Sequence, residues 1–142
     1  MPEERDLELL AKLLYGENRA NPTPDEAAAI VDSVRNRTKL QGYPSDLEGV
    51  LNQPHQYTPF SPREDPSSLE NAASTQAFGP NHPRWNEYIT LAQWGLNPDR
   101  PPAPYTHYFS QKANPPWAKK MKLTQIGSHK FGVEKRKKKE AK

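Results

Sequence analysis

Residues 6–38 read DLELLAKLLYGENRANPTPDEAAAIVDSVRNRT, and their punctuation predicts two helices. Asp6 is a good N-cap type, and Leu7, Leu10, Ala11 and Leu14 then recur at helical spacing. Glu17 follows three residues after Leu14 and seven after Leu10, which puts it on the apolar stripe, almost over Leu10. A carboxylate belongs in water unless it has a task or a partner. The alternative is a helix that frays by Gly16 and leaves Glu17 pointing outward, and the pattern alone does not choose between the two. Thr23-Pro24-Asp25-Glu26 is a capping box with proline at the first helical position. It opens a helix whose buried face is expected to carry Ala27, Ile30, Val31 and Val34, with Asn36 and Arg37 toward its end.

Ser45-Asp46-Leu47-Glu48 is a second capping box and predicts a short helix ending before Pro54. Residues 53–66 read as loop, punctuated by Pro54, Pro59, Pro62 and Pro66. A short helix is expected from Ser67 to Phe78. A longer one begins near Pro83, with Trp85, Tyr88, Ile89 and Ala92 on one face and Gly95 as its C-cap. Beyond the proline-rich stretch 98–104, Tyr105-Thr106-His107-Tyr108-Phe109-Ser110 is rich in strand formers. Asn114-Pro115-Pro116-Trp117 reads as a rigid turn. A rough alternation from Leu123 to Phe131, interrupted by Gly127, reads as further short extended segments.

A chain of 142 residues suits one domain. Hydrophobic residues make up 33% and prolines number 16, so part of the chain is expected to stay outside the core, in long loops between sharply bounded helices. Charge is unevenly placed. Residues 1–111 carry nine Lys/Arg and fifteen Asp/Glu, whereas residues 112–142 carry eleven Lys/Arg and two Glu. The basic excess therefore belongs to the C-terminal end, above all to Lys135-Arg136-Lys137-Lys138-Lys139. Such runs repel themselves and stay solvated. Residues 133–142 are accordingly expected to form a tail that adds little to stability and is available to an anionic surface.

The absence of cysteine excludes disulfides, thiolate metal ligands and a cysteine nucleophile. None of His55, His82, His107 and His129 pairs with another at metal-ligand spacing, and neither HExxH nor GxSxG occurs. No phosphate loop or dinucleotide fingerprint is present, so no metal and no cofactor is expected. Carboxylates and aromatics remain. Glycosidic cleavage needs a protonated carboxyl beside the leaving oxygen, and an apolar surrounding keeps a glutamic acid protonated. A glutamate ending a buried helical stripe meets that description. Sugars also need flat surfaces, and Tyr57, Phe60, Tyr105, Tyr108 and Trp117 lie in or near loops.

Five segments in order resemble the SleB-type cell-wall hydrolases, known from spore cortex-lytic enzymes and phage-borne relatives. They are LLAKLLYGENRANP, AAAIVDSVRNRT, QYTPFS, THYFSQKANPPWAKK and IGSHKFG, spanning roughly Leu9 to Phe131. The resemblance implies a mainly α (α+β) fold: a lysozyme-like helical domain over residues 1–132 with a small extended region, followed by the basic tail 133–142. It implies cleavage of the muramic-acid-to-glucosamine bond of peptidoglycan glycan strands, after the manner of a lytic transglycosylase, with Glu17 as the single catalytic carboxyl. Gln56, Tyr57, Phe60, Tyr105, His107, Tyr108 and Trp117 are expected to bind substrate. Many relatives carry a second glutamate where this chain has Asn21, which puts that residue's role in doubt here. Asp46, Glu48, Glu64 and Asp65 are candidates for a second carboxylate if the outcome is hydrolysis.

Two other classes compete. One is an inactive, lysozyme-like structural or interaction protein of a virion. The other is a nucleic-acid binder led by the tail, which the acidic body and the lack of a recognition helix argue against. No apolar run approaches the ~18 residues of a membrane helix, and the N-terminal MPEERDLE is acidic where a signal peptide is basic. The expectation is a protein made in a host cytoplasm that reaches the wall on release, as an endolysin, or as part of a virion, with virion proteins or an anionic surface as partners for Lys135–Lys139.

Overall fold

A computed structural model describes residues 4–17, 22–52, 77–111 and 115–139. Among these residues four helices precede a small sheet: α1 (Glu4–Glu17), α2 (Pro24–Arg37), α3 (Leu47–Leu51) and α4 (Trp85–Leu96), then β1 (His107–Ser110), a 3-10 turn at Pro116–Lys120, β2 (Thr124–Ile126) and β3 (His129–Gly132). The first helix runs through Gly16 to Glu17 and does not fray. Tyr15 is the reason: its ring stacks on Phe78 at 4.0 Å and meets Tyr88 edge-on at 5.5 Å, locking the last turn into an aromatic cluster. The expected helix over residues 67–78 lies almost wholly outside the described residues.

At the start of α2, Thr23 caps as expected, its side chain accepting from the Glu26 N–H at 3.2 Å. The burial of α2 is wider than one stripe. Besides Ala27, Ile30, Val31 and Val34, it buries Ala28, Ala29 and the polar Glu26, Asp32, Ser33 and Arg37, because α1, α4 and the sheet surround it. Those polar residues bind the descending chain. Asp32 takes the Arg100 guanidinium at 2.6 and 3.0 Å and the Ala103 N–H at 2.9 Å. The Asn36 amide donates to the carbonyls of Ala103 and Tyr105, and Arg37 Nε donates to that of Thr106 at 2.6 Å. Residues 100–106 are thus delivered to the sheet in a set path.

Three cap assignments shift. The first helix already includes Asp6, which lies in its first turn and does not cap it. Asp46, not Ser45, caps α3, its carboxylate accepting from the Gly49 N–H at 2.7 Å. Gly95 lies inside α4, and Asn97 is the C-cap. Glycine is required there by packing, since a Cβ would come within 2.8 Å of Val31 Cβ where α2 and α4 cross.

The sheet is antiparallel in the order β1-β3-β2, with Tyr108 opposite Phe131 and both Ser110 and Ile126 opposite His129. Alternation along the strands sorts the side chains. Phe131 and His129 are buried toward the helices, and Tyr108 and Ile126 pack with them against the core. Gly127, at φ +62°, makes the tight turn between β2 and β3.

Residues 133–139 depart from the solvated tail that composition suggests. The Gln41 N–H donates to the Lys137 carbonyl at 2.9 Å and the Lys139 N–H to the Lys39 carbonyl at 2.8 Å, an antiparallel bridge along the α2–α3 connection. Tyr43 donates its hydroxyl to Glu134 at 2.8 Å, Arg136 lies over the Tyr43 ring, and Lys139 Nζ reaches the Thr38 carbonyl and Ser45. Backbone pairing needs no apolar stripe, so a reading of composition misses it. We predict that truncation after Val133 destabilises the fold by about 1–3 kcal/mol, several hydrogen bonds lost less the entropy released. Thermal unfolding followed by circular dichroism would show a midpoint several degrees lower; an unchanged midpoint would show that the strap is only resting on the surface.

Candidate active site

Glu17 ends α1 one turn beyond the fully buried Leu13 and Leu14. Its carboxylate Oε2 lies 3.6 Å from His129 Nε2, and the other ring nitrogen, Nδ1, lies 3.4 Å from Oε2 of Glu26. One imidazole therefore bridges the end of α1 and the first turn of α2. The two carboxylates differ in access: the Glu17 side chain is 19% exposed and the Glu26 side chain 1%. Glu26 is further held by Ser128, whose backbone N–H and Oγ both donate to Oε2, the latter at 3.0 Å. Gly127 makes this possible, since any Cβ there would collide with the Glu26 carboxylate. The turn Gly127-Ser128-His129 is thus a carboxylate cradle, and glycine serves both its positive φ and its close approach.

Burial works against a charged His129, but the neighbouring Glu17 and Glu26 carboxylates outweigh it and raise its pKa above the ordinary value. The sign for stability follows. The charged imidazole contributes fully below the unfolded value of about 6.5, and that contribution is lost as pH rises through the folded value. Tyr108 closes the site on the sheet side, its ring edge-on to His129 at 5.6 Å. Because Glu17 and Glu26 meet opposite nitrogens of the ring, they share no point at which a cation could be held. Among the described residues no group of three or more His, Cys, Asp or Glu side chains could bind a metal. What this arrangement offers is proton chemistry at one accessible carboxyl, backed by a fixed imidazole.

The cell wall hydrolase family matches residues 23–132. The chain belongs to that family. The matched span includes Glu26 and the 127–129 cradle, and Glu17 lies six residues before it. Two solved structures share the fold of this hydrolase. The catalytic domain of the germination-specific lytic transglycosylase SleB from Bacillus anthracis is 20% identical, with a TM-score of 0.67 over 92% of this chain and 96% of that one. The catalytic domain of the Bacillus cereus SleB protein is 22% identical, with a TM-score of 0.68 over 93% of this chain and 92% of that one. Among curated proteins, none matches the chain. The mainly helical hydrolase domain with its small three-stranded sheet is thus SleB-like.

The expected site residues are distributed unevenly. Glu17 and Tyr108 converge on His129. Tyr105 packs on Phe131 at 5.2 Å, on the same side as Tyr108. Strict strand alternation would pair Tyr105 with His107 instead, but β1 starts only at His107, and Asn36 and Arg37 hold the carbonyls of Tyr105 and Thr106 in a bend. His107 faces the other way, with Phe109, onto Trp117 at 5.1 Å and toward Glu134 at 3.5 Å. Burial and Arg37, with Arg136 adding and Glu134 opposing, push its pKa down to about 4, so it is neutral at neutral pH. His107 and Trp117 therefore sit on the face of the sheet away from Glu17. Gln56, Tyr57, Phe60 and Asn21 lie outside the described residues, as do Glu64 and Asp65. Asp46 is spent on its cap, and Glu48 pairs with Arg5 at 2.8 Å. Arg5 stands about 18 Å along α1 from Glu17 at 1.5 Å per residue.

Glu26 and His129 are the members of this cluster that sequence reasoning overlooked. Glu26 is hidden behind its own capping box, and His129 appears only as one step of a strand alternation. The available signal was the triplet Gly127-Ser128-His129 itself, a positive-φ residue followed by two side chains able to grip an anion.

Proposed function

We propose that this hydrolase cuts the muramic-acid-to-glucosamine bond of peptidoglycan glycan strands as a lytic transglycosylase, with Glu17 acting as acid and then as base. The observation that carries the reading is the difference in access between the two carboxylates that flank His129. Glu17 can meet a sugar, whereas Glu26 is sealed behind the cradle and committed to its donors. In the first step the Glu17 carboxyl gives its proton to the glycosidic oxygen and the bond from that oxygen to the muramic C1 breaks. In the second, the 6-hydroxyl oxygen of the same sugar bonds to C1 and its proton returns to Glu17. A 1,6-anhydro end results, the carboxyl is restored, and no water is consumed. Tyr108 borders the reacting end on the sheet side.

The basic strap supports an accessory role. Arg136 and Lys139 are engaged with the body, while Lys135, Lys137 and Lys138 stay exposed. These three lysines would concentrate the enzyme on a phosphate-bearing wall polymer by attraction that salt screens over about 8–10 Å.

Three outcomes test this reading. Glu17→Gln should fold normally and lose about 10²–10⁴-fold of its activity on purified sacculi, the usual worth of general acid catalysis; a folded variant that digests at the wild-type rate sinks the assignment. Mass analysis of the digest should show muramic ends one water lighter than hydrolysed ends, and exclusively reducing ends would identify a muramidase instead. A triple Lys135→Gln, Lys137→Gln, Lys138→Gln variant should cosediment less with phosphate-bearing sacculi at low salt, with the difference vanishing at high salt; equal binding throughout removes the strap from this role.

A further inference from the structure

A carboxylate as deeply buried as Glu26 loses its hydration, a penalty of several kcal/mol unless donors replace the water. Here three donors meet at one oxygen: the Ser128 N–H, the Ser128 hydroxyl and His129 Nδ1 all reach Oε2. With Nδ1 turned to Glu26, Nε2 can face only outward along the ring axis, and what it faces is Glu17 at 3.6 Å. Among the described residues, the groups that confront His129 are Glu17 from α1, Glu26 from α2, the neighbouring Ser128 hydroxyl, the Tyr108 ring from β1 and the Phe131 ring from its own strand. The orientation is thus built from three elements and depends on a glycine that admits the carboxylate.

We infer that Glu26 and His129 are positioning residues for the proposed reaction, the sealed carboxylate fixing the imidazole and the imidazole holding the Glu17 carboxyl toward the glycan. This rests on Glu17 being the acid. His129 keeps its protons throughout the cycle. Its Nε2–H steadies Glu17 whenever Glu17 is a carboxylate, including the interval between giving its proton to the leaving oxygen and taking one from the 6-hydroxyl. Glu26 balances the imidazolium, so the buried pair is neutral as a unit. A staple that merely joined α1, α2 and β3 would support the fold equally well but would not couple His129 to Glu17.

The test reads that coupling first and catalysis second. His129 is followed by its imidazole NMR signals through a pH titration of the full chain. The wild-type midpoint should lie above about 6.5 and fall in Glu17→Gln, which removes one of the two counter-charges. Glu26→Gln and His129→Gln should each lower kcat by about 10²-fold, the scale of a misplaced catalytic group, with KM little changed. In Glu26→Gln the alkaline limb of the kcat profile should move to lower pH, because the less supported imidazolium loses its proton sooner. Folded Glu26→Gln with wild-type kcat and an unmoved limb overturns the inference. If that variant fails to fold, the titration decides alone, since an equal midpoint in wild type and Glu17→Gln overturns it as well. An active Glu17→Gln would instead overturn the proposed function, leaving the His129 titration to stand on its own.

Discussion

Glu26 keeps almost none of its surface in solvent, and an ionised carboxyl tolerates that only where donors replace its water. Much of the local architecture follows from this constraint. The β2–β3 turn must bring a backbone N–H and a hydroxyl to one oxygen, so its first residue must be a glycine and its second a small donor. The third, His129, is then carried into the interior as the first residue of β3, where its register opposite Ser110 and Ile126 is set. The chain reaches Glu26 itself through the Thr23 cap and Pro24, which start α2 with that side chain on the side of the sheet. The carboxylate therefore couples the start of the central helix to the last strand, about a hundred residues later in the chain.

The same helix organises the other approach to the site. Asp32, Asn36 and Arg37 face the segment that leads into β1 and satisfy its carbonyls and the Arg100 guanidinium. Breaking one partner of a buried ion pair leaves the other uncompensated, typically at a cost of about 3–5 kcal/mol. The Asp32–Arg100 pair is as closed as this, with both side chains mostly out of solvent. Polar residues at successive turns of α2 thus determine where the strand begins, and the strand's start determines that Tyr108, not His107, meets His129.

What the sequence discloses divides along a physical line. Local signals were legible: the capping chemistry at Thr23, the apolar spacing of α1, the strand formers around Tyr108 and the aromatic face of α4. Glu17 was legible as an anomaly, a carboxylate on an apolar stripe, although only the stacking of Tyr15 on Phe78 explains why the helix persists to carry it. Features that depend on partners distant in sequence were not legible. Glu26 satisfies a local rule as a capping residue, which conceals its long-range partners Ser128 and His129. Gly95 satisfies the local rule for a C-cap and is needed instead for a helix crossing. The strap at 133–139 is held mainly by backbone pairing and by a tyrosine 91 positions earlier in the chain, neither of which a run of lysines announces.

The arrangement of the two carboxylates bears on the chemistry available. An inverting glycosidase sets its carboxyls about 6.5–9.5 Å apart with a water between them, and a retaining one sets them at about 5–5.5 Å so that the second attacks the sugar. Here the interval between Glu17 and Glu26 is filled by an imidazole that contacts each of them. No water fits where a ring already stands, and a carboxylate whose oxygen is held by Ser128 and His129 is neither exposed nor oriented for attack. A second carboxylate can be present in such a site without serving as base or nucleophile. In the proposed reaction the sugar supplies its own nucleophile and returns the proton it displaces, and that route requires Glu17 to stay correctly aimed while it is ionised. An imidazole anchored from behind by a sealed counter-charge is suited to that requirement when protonated, because it can stabilise the carboxylate without being drawn away from the fold.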